Sequence, residues 1–280
     1  MQQLSDTQAA ILASLARFRF LTVDQIRALG INTGKSKTHL YSVLAALCDA
    51  PAFVGKYTPK PIHGKGSFPS LHYLTKRGAE TLAELTQGDV HDFKFPKGKV
   101  TISRMLVHFT RCVWCEIHAR QWADANGHAV DFYHNDFDTE GDNRTGKGGK
   151  LRKLTRVDLN NGERLIPDAA FHLTDAEGVP RLFLLEVHNE MRSKRIHEKL
   201  AEYREAVADG SIQRHFKYEH SPRIVTIFEE QRHIEHALLA MQKSGKFRGW
   251  EPFFYFKTLE DLQTDFRYGW QTLGGMRMLF

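Results

Sequence analysis

No run of this sequence approaches the roughly 18 consecutive apolar residues that a membrane span requires. The opening residues, MQQLSDTQAA, carry neither the basic stretch nor the apolar core of a secretory signal. The expectation is a cytoplasmic protein. Cysteine is scarce: three in 280 residues cannot all pair, and Cys112 and Cys115 have no second close pair with which to complete a zinc ribbon. Reduced thiols on a helix are expected instead. Histidine is plentiful at 15, yet no two are separated by a single residue, so a His-x-His metal motif is missing. A phosphate-binding loop is missing too. Gly141-x-x-x-x-Gly146-Lys147 comes close, but Gly148 stands where Ser or Thr is required and no strand–loop–helix pattern surrounds it. Nucleotide hydrolysis is excluded on that ground.

What is present is a folded chain. Hydrophobic residues make up 41% and charged residues 26%, close to globular averages, and 280 residues allow one large domain or two. The net charge of +6 is unevenly placed: the first hundred residues hold 13 basic against 7 acidic side chains, and the remainder is balanced. A basic first third suggests a module that touches a polyanion, whereas a solvated basic face would explain the charge equally well.

Patterning favours the polyanion. Ser5-x-x-Gln8 and Thr22-x-x-Gln25 have capping-box spacing, the first ahead of the apolar series Ile11, Leu12, Leu15 and Phe18. Gly34 to Leu47 reads as a third helix, with Leu40, Val43, Leu44 and Leu47 inward and Lys35, Ser36, Lys37, Thr38, His39 and Tyr41 outward or at its start. Three helices with a short second turn form a helix-turn-helix, whose last helix enters the major groove. Phe53 to Tyr57 and Leu71 to Leu74 read as strands flanking Thr58 to Ser70, a basic loop that includes Lys60 and Lys65, and Thr75 caps a closing helix. The expectation is an N-terminal winged helix-turn-helix domain, residues 1–88, binding double-stranded DNA through Lys35, Ser36, Lys37, His39, Tyr41, Lys60 and Lys65. A protein-docking helical module is the competing reading.

Residues 86–100 carry Gly, Pro and mixed charge without period, so the second domain is placed at 101–280. Its first helix carries Met105, Leu106, Phe109, Val113 and Ile117 as a stripe, and Glu116 falls on it. Helix geometry leaves Glu116 either inward or reaching solvent from the stripe's edge. Leu165 to Leu173 and Arg181 to His188 read as two strands of a hairpin. On the second, Leu182, Leu184, Glu186 and His188 share one face. Pairing with the first strand could set the carboxylate of Asp168 beside Glu186. Two carboxylates held together resist ionisation unless a cation joins them, and oxygen ligands suit Mg²⁺ or Mn²⁺. Such an ion could polarise a phosphodiester, with His188 as a neighbouring basic group.

Pro167-Asp168 followed by Glu186-x-His188 resembles the PD-(D/E)XK nuclease core, with His in place of Lys. The order of a winged helix, an inward helix, PDA, FLLEV, KL-x-x-Y, RIVTIF and FYFKTLEDL resembles the replication-relaxation family and the related restriction-endonuclease-like plasmid relaxases over nearly the whole chain. The resemblance implies an α+β or α/β fold with a nuclease-like second domain and a metal-dependent nicking activity at a transfer or replication origin. It implies Asp168 and Glu186 as metal ligands, His188 at the lysine position, and Glu116 as the acidic residue of the first core helix. Lys194 or Lys199 could supply the missing cationic charge. Origin DNA is the partner implied and a homodimer is allowed; neither a membrane nor a small-molecule cofactor is expected. Tyr203, four residues after Lys199, invites a covalent-nucleophile reading, but a tyrosine packed on the sheet with its hydroxyl near the site is the stronger one. A DNA-binding initiator or regulator with a degenerate nuclease-like domain is the alternative function.

Overall fold

The structure, a computed structural model, describes residues 4–32, 34–60, 68–98, 100, 104–141, 151–175, 177–188 and 193–280. The chain is mixed α and β and divides into two compact units, Met1–Val113 and Trp114–Phe280. The division falls inside the fifth helix and not in the Gly- and Pro-containing stretch before it. The reason is local: Gln25 Nε2 donates to the Thr110 carbonyl at 2.8 Å, which ties the start of that helix to the first unit.

In the first unit both capping boxes form. Helix α1, Asp6–Phe18, is capped by Ser5 and α2, Val23–Ala28, by Thr22. Each hydroxyl accepts from the third backbone N–H, and each Gln side chain accepts from the cap's own N–H. The third helix, α3, is Lys37–Cys48 with Ser36 as cap, so it starts three residues later than the sequence pattern suggests and leaves Lys35 ahead of it. The hydroxyl of Ser36 decides this by accepting from the N–H of His39. Strands β1, Phe20–Leu21, β2, Val54–Tyr57, and β3, Leu71–Leu74, form an antiparallel sheet in the order β1-β3-β2. Helix α4, Lys76–Thr86, follows the Thr75 cap. Gly78 lets it lie against the strand, since a Cβ there would sit 2.1 Å from the Phe53 carbonyl oxygen.

The second unit is built on a seven-stranded mixed sheet. Helix α5, Arg104–Asn126, leads into β4, Ala129–Asn135. Two small hairpins follow, β5 and β6 (Thr139–Glu140, Arg152–Lys153) and β7 and β8 (Val157–Asp158, Arg164–Leu165). The run Leu165 to Leu173 is therefore not one strand. Leu165 closes the second hairpin, and β9, Ala169–Thr174, begins only after Pro167, whose missing N–H ends the first pairing. β9 pairs antiparallel with β10, Pro180–His188, as the expected hairpin. Helix α6, Ser193–Ala208, and α7, Ser211–Phe216, precede β11, Arg223–Phe228, which lies parallel to β10. Helix α8, Gln231–Ser244, β12, Phe254–Thr258, α9, Leu259–Thr264, and the short strands β13, Trp270–Thr272, and β14, Gly275–Arg277, complete the order β14-β13-β12-β11-β10-β9-β4.

Alternation along the strands divides the core. Leu182 and Leu184 of β10, with Ile224 and Phe228 of β11, join Ile196, Leu200 and Tyr203 of α6 and Ile234 and Met241 of α8 in one cluster. Each such aliphatic side chain stabilises by roughly 1.5–3 kcal/mol when fully buried. Phe171 and Phe183 point to the opposite face and stack at 4.8 Å. Near the C-terminus Phe254 and Tyr255 are buried and Trp250 and Phe253 partly so. Among the described residues no helix is long and apolar enough to cross a membrane.

Candidate functional site

The pairing of β9 with β10 puts the two carboxylates in register. Leu185 opposes Ala169, so Asp168 and Glu186 occupy the next positions of the ladder. Asp168 is locked by backbone: its N–H donates to the Leu185 carbonyl at 3.0 Å, its carbonyl accepts from Asp136 N–H at 2.8 Å, and its Oδ2 accepts from Val187 N–H at 2.8 Å. Glu186 keeps only 5% of its surface. Burial, and then the charge of Asp168, push its pKa up to about 8, while Lys199 and the Tyr203 hydroxyl pull the other way. Burial also drives up the neighbouring Cys115 thiol, and Asp168 adds to that rise.

Helix α6 supplies the partners of Glu186. Tyr203, fully buried, donates its hydroxyl to Glu186 Oε1 at 2.5 Å. Lys199 Nζ lies 3.7 Å from the same oxygen, 3.6 Å from Glu202, and donates to the Ile166 carbonyl at 3.3 Å. Of the two lysines considered for this site, Lys199 is the one at the carboxylates. Lys194 is 91% exposed and faces Glu198 at 3.9 Å. His188 ends β10 opposite Phe228 and stacks on its ring at 5.4 Å, on the face that carries Glu186. Burial raises the Tyr203 pKa well above its ordinary value, and the adjacent Glu186 adds to it, so the phenol stays protonated. Interior and protonated, it is placed as the packed tyrosine and not as an exposed nucleophile.

Glu116 takes the inward one of the two orientations open to it. It does not reach solvent from the edge of the stripe but is completely buried on α5. Its Oε1 accepts from Arg120 Nε at 2.9 Å and its Oε2 from Asn135 Nδ2 at 2.6 Å. A buried carboxylate persists where a cation and a hydrogen-bond donor compensate it. Asn135 ends β4 opposite Ala169, one position from Asp168. Arg120, four residues from Glu116, was legible as a helical neighbour. Asn135 was not, because nothing in spacing brings the end of a strand beneath a helix.

In the first unit, Lys35, Ser36, His39 and Tyr41 are exposed at the start and outer side of α3, with Tyr41 at 51%. Lys60 is exposed beyond β2. Lys37 is engaged: its Nζ lies 2.6 Å from Asp24 on α2, and this hydrogen bond raises its pKa. Lys65, residues 142–150 and the side chain of Ser193 lie outside the described residues. Buried His72 on β3, missed by the sequence reading, has its pKa lowered to about 4, chiefly by burial and then by Lys56.

These features define a two-unit α and β protein with a basic helix surface in one unit and a paired-carboxylate hairpin in the other. The model of the replication-relaxation family matches residues 12–219, and the chain belongs to that family. Membership points to a role in replication or mobilisation. No curated protein and no solved structure matches the chain.

Proposed function

We propose that this protein is a metal-dependent DNA nicking enzyme, a relaxase acting in the cytoplasm at a plasmid or mobile-element origin of transfer or replication. In this reading residues 1–88 are a winged helix-turn-helix that holds the duplex, and residues 101–280 are a PD-(D/E)XK-like nuclease domain. The observation that carries it is the carboxylate pair on adjoining strands, with Glu186 pushed towards the protonated form by burial and by Asp168. The chain order of helix α5, three antiparallel strands β4, β9 and β10, helix α6 and parallel β11 supports it.

The donors present fit a hard divalent cation. Both are carboxylate oxygens, and a cation would offset the burial and the Asp168 charge that together raise the Glu186 pKa. Asp168 and Glu186 would hold Mg²⁺ or Mn²⁺, which when bound polarises a phosphodiester and lowers the pKa of bound water. The Val187 N–H fixes Asp168 in place. Lys199, on the helix and not the strand, supplies the cationic charge that the strand lysine of such sites would give. His188, on the face that carries Glu186, could orient an attacking water or take its proton. Glu116, held by Arg120 and Asn135, braces the strand next to Asp168. In the first unit Lys35, His39, Tyr41, Lys60 and Lys65 meet the duplex, Ser36 caps the reading helix, and Lys37 exchanges Asp24 for phosphate.

A second reading follows from one observation, His188 at the lysine position: a non-catalytic DNA-binding replication initiator or transcriptional regulator that keeps the domain for docking or dimerisation. Supercoiled plasmid carrying the cognate origin separates the two. Conversion to open circle that requires Mg²⁺ or Mn²⁺ is expected; tight binding with no conversion under any divalent ion favours the regulator.

A further inference from the structure

The two oxygens of Glu186 are unequal. Oε1 takes the Tyr203 hydroxyl at 2.5 Å and faces Lys199 Nζ at 3.7 Å. Oε2 accepts no hydrogen bond among the described residues, yet is absent from the buried unsatisfied atoms, so it is the oxygen that keeps the residual exposure of this side chain. The asymmetry is imposed from α6. Leu200 and Tyr203 are fully buried on that helix against the sheet, and Lys199 lies beside them with its Nζ 5.6 Å from the centre of the Tyr203 ring. The phenol is therefore part of the helix–sheet contact, with little freedom to turn away from Oε1.

From this geometry we infer that Tyr203 is a positioning residue of the metal site: it pins Glu186 Oε1 and presents Oε2 alone to the cation. The inference rests on the metal-dependent reading above. A carboxylate free to rotate could ligate through either oxygen or through both, and each alternative changes where the ion sits relative to Asp168. A fixed hydrogen bond selects one of them before the ion arrives, and removing such support around metal ligands typically weakens metal affinity about 10–100-fold. Tyr203 touches neither substrate nor ion in this arrangement and acts only through Glu186. No covalent protein–DNA bond to its oxygen is involved.

The test is Mn²⁺ binding to the full chain by titration calorimetry, in wild-type protein and in Tyr203→Phe, which keeps the ring and removes the hydroxyl. A roughly tenfold weaker affinity is expected, with affinity for origin duplex within twofold of wild type. Nicking by the variant should recover when Mn²⁺ is raised about tenfold. A tyrosine that served packing alone would lower the thermal midpoint without moving the Mn²⁺ affinity, and that result overturns the proposal. Absence of Mn²⁺ uptake by wild-type protein would instead overturn the metal reading and this proposal with it. Should Tyr203→Phe fail to fold, the Mg²⁺-induced infrared difference spectrum of wild-type protein decides, with Glu186 assigned by the bands that Glu186→Gln removes. Ligation through one oxygen widens the splitting of the carboxylate stretches and supports the proposal; a narrowed splitting, from ligation through both, overturns it.

Discussion

The two units treat charge in opposite ways. In Met1–Val113 the described residues proposed to meet DNA are exposed, apart from half-buried Lys37, and buried His72 is held neutral. In Trp114–Phe280 carboxylates themselves are interior: Glu116 is neutralised by Arg120, and Glu186 is left with a phenol, a lysine 3.7 Å away and a second carboxylate. The contrast teaches what each task demands. Binding a polyanion works by exchanging small counterions and needs side chains in water. Holding one cation works by making the bare carboxylates uncomfortable, which needs burial.

The largest effect should come from removing the carboxylates. Asp168→Ala or Glu186→Ala is expected to lower the rate of plasmid nicking by a factor on the order of 10³ or more, with duplex affinity within about twofold, because the proposed ligands of the ion go and the helix surface stays. A carboxylate variant that nicks normally would remove the chemical half of the comparison. Next is Gly78→Ala. The added Cβ meets the Phe53 carbonyl oxygen, and overpacking of this kind costs about 1–3 kcal/mol, here at the upper end because backbone must move. Thermal unfolding should show the loss, and DNA binding should fall with it.

Acidity should separate the units by sign. His72 has a folded pKa near 4 against 6.5 in the unfolded chain, so between those values the unfolded state binds the extra proton. The stability that neutral His72 allows is complete above pH 6.5 and falls away towards pH 4, by about 3 kcal/mol at most. His72→Phe should flatten that slope in urea titrations across the range. Glu186 runs the other way. Its pKa rises from 4.5 to about 8 on folding, so the folded state keeps a proton that the unfolded state releases, and stability drops as pH climbs through that window. Glu186→Gln is then expected to raise the thermal midpoint at pH 8, by roughly 2–4 °C for each kcal/mol relieved, while ending metal-dependent nicking. A lower midpoint at pH 8 would mean that the ionised carboxylate is welcome there.

The smallest effect concerns the helix surface. Lys35→Ala should weaken duplex binding and reduce the salt slope by about one counterion, whereas Lys37→Ala should do less, since Lys37 must first give up Asp24. Equal slopes for the two variants would show that the Asp24 pair does not compete with phosphate.

Much of this arrangement was legible in the order of residues. Capping boxes, the β9–β10 hairpin and the shared face of Glu186 and His188 follow from spacing alone, because a hydroxyl three residues from an N–H or two side chains two apart on a strand meet by local geometry. The interruption of the Leu165–Leu173 run at Pro167 was written there as well, in a residue that cannot donate, although the apolar residues around it obscured the break. Less legible were choices between equals. Lys194 and Lys199 have the same chemistry on the same helix, and only the face that α6 turns to the sheet sends one to Glu186 and the other to water.

The sequence by itself determined which elements form and which faces they present, since helix and strand periods fix directions along one element. Only the tertiary structure decided that Asn135 meets buried Glu116, that Tyr203 holds one oxygen of Glu186, and that Lys37 answers Asp24. Those are distances between elements, set by how helices pack on strands far away in the chain, and no local period encodes them.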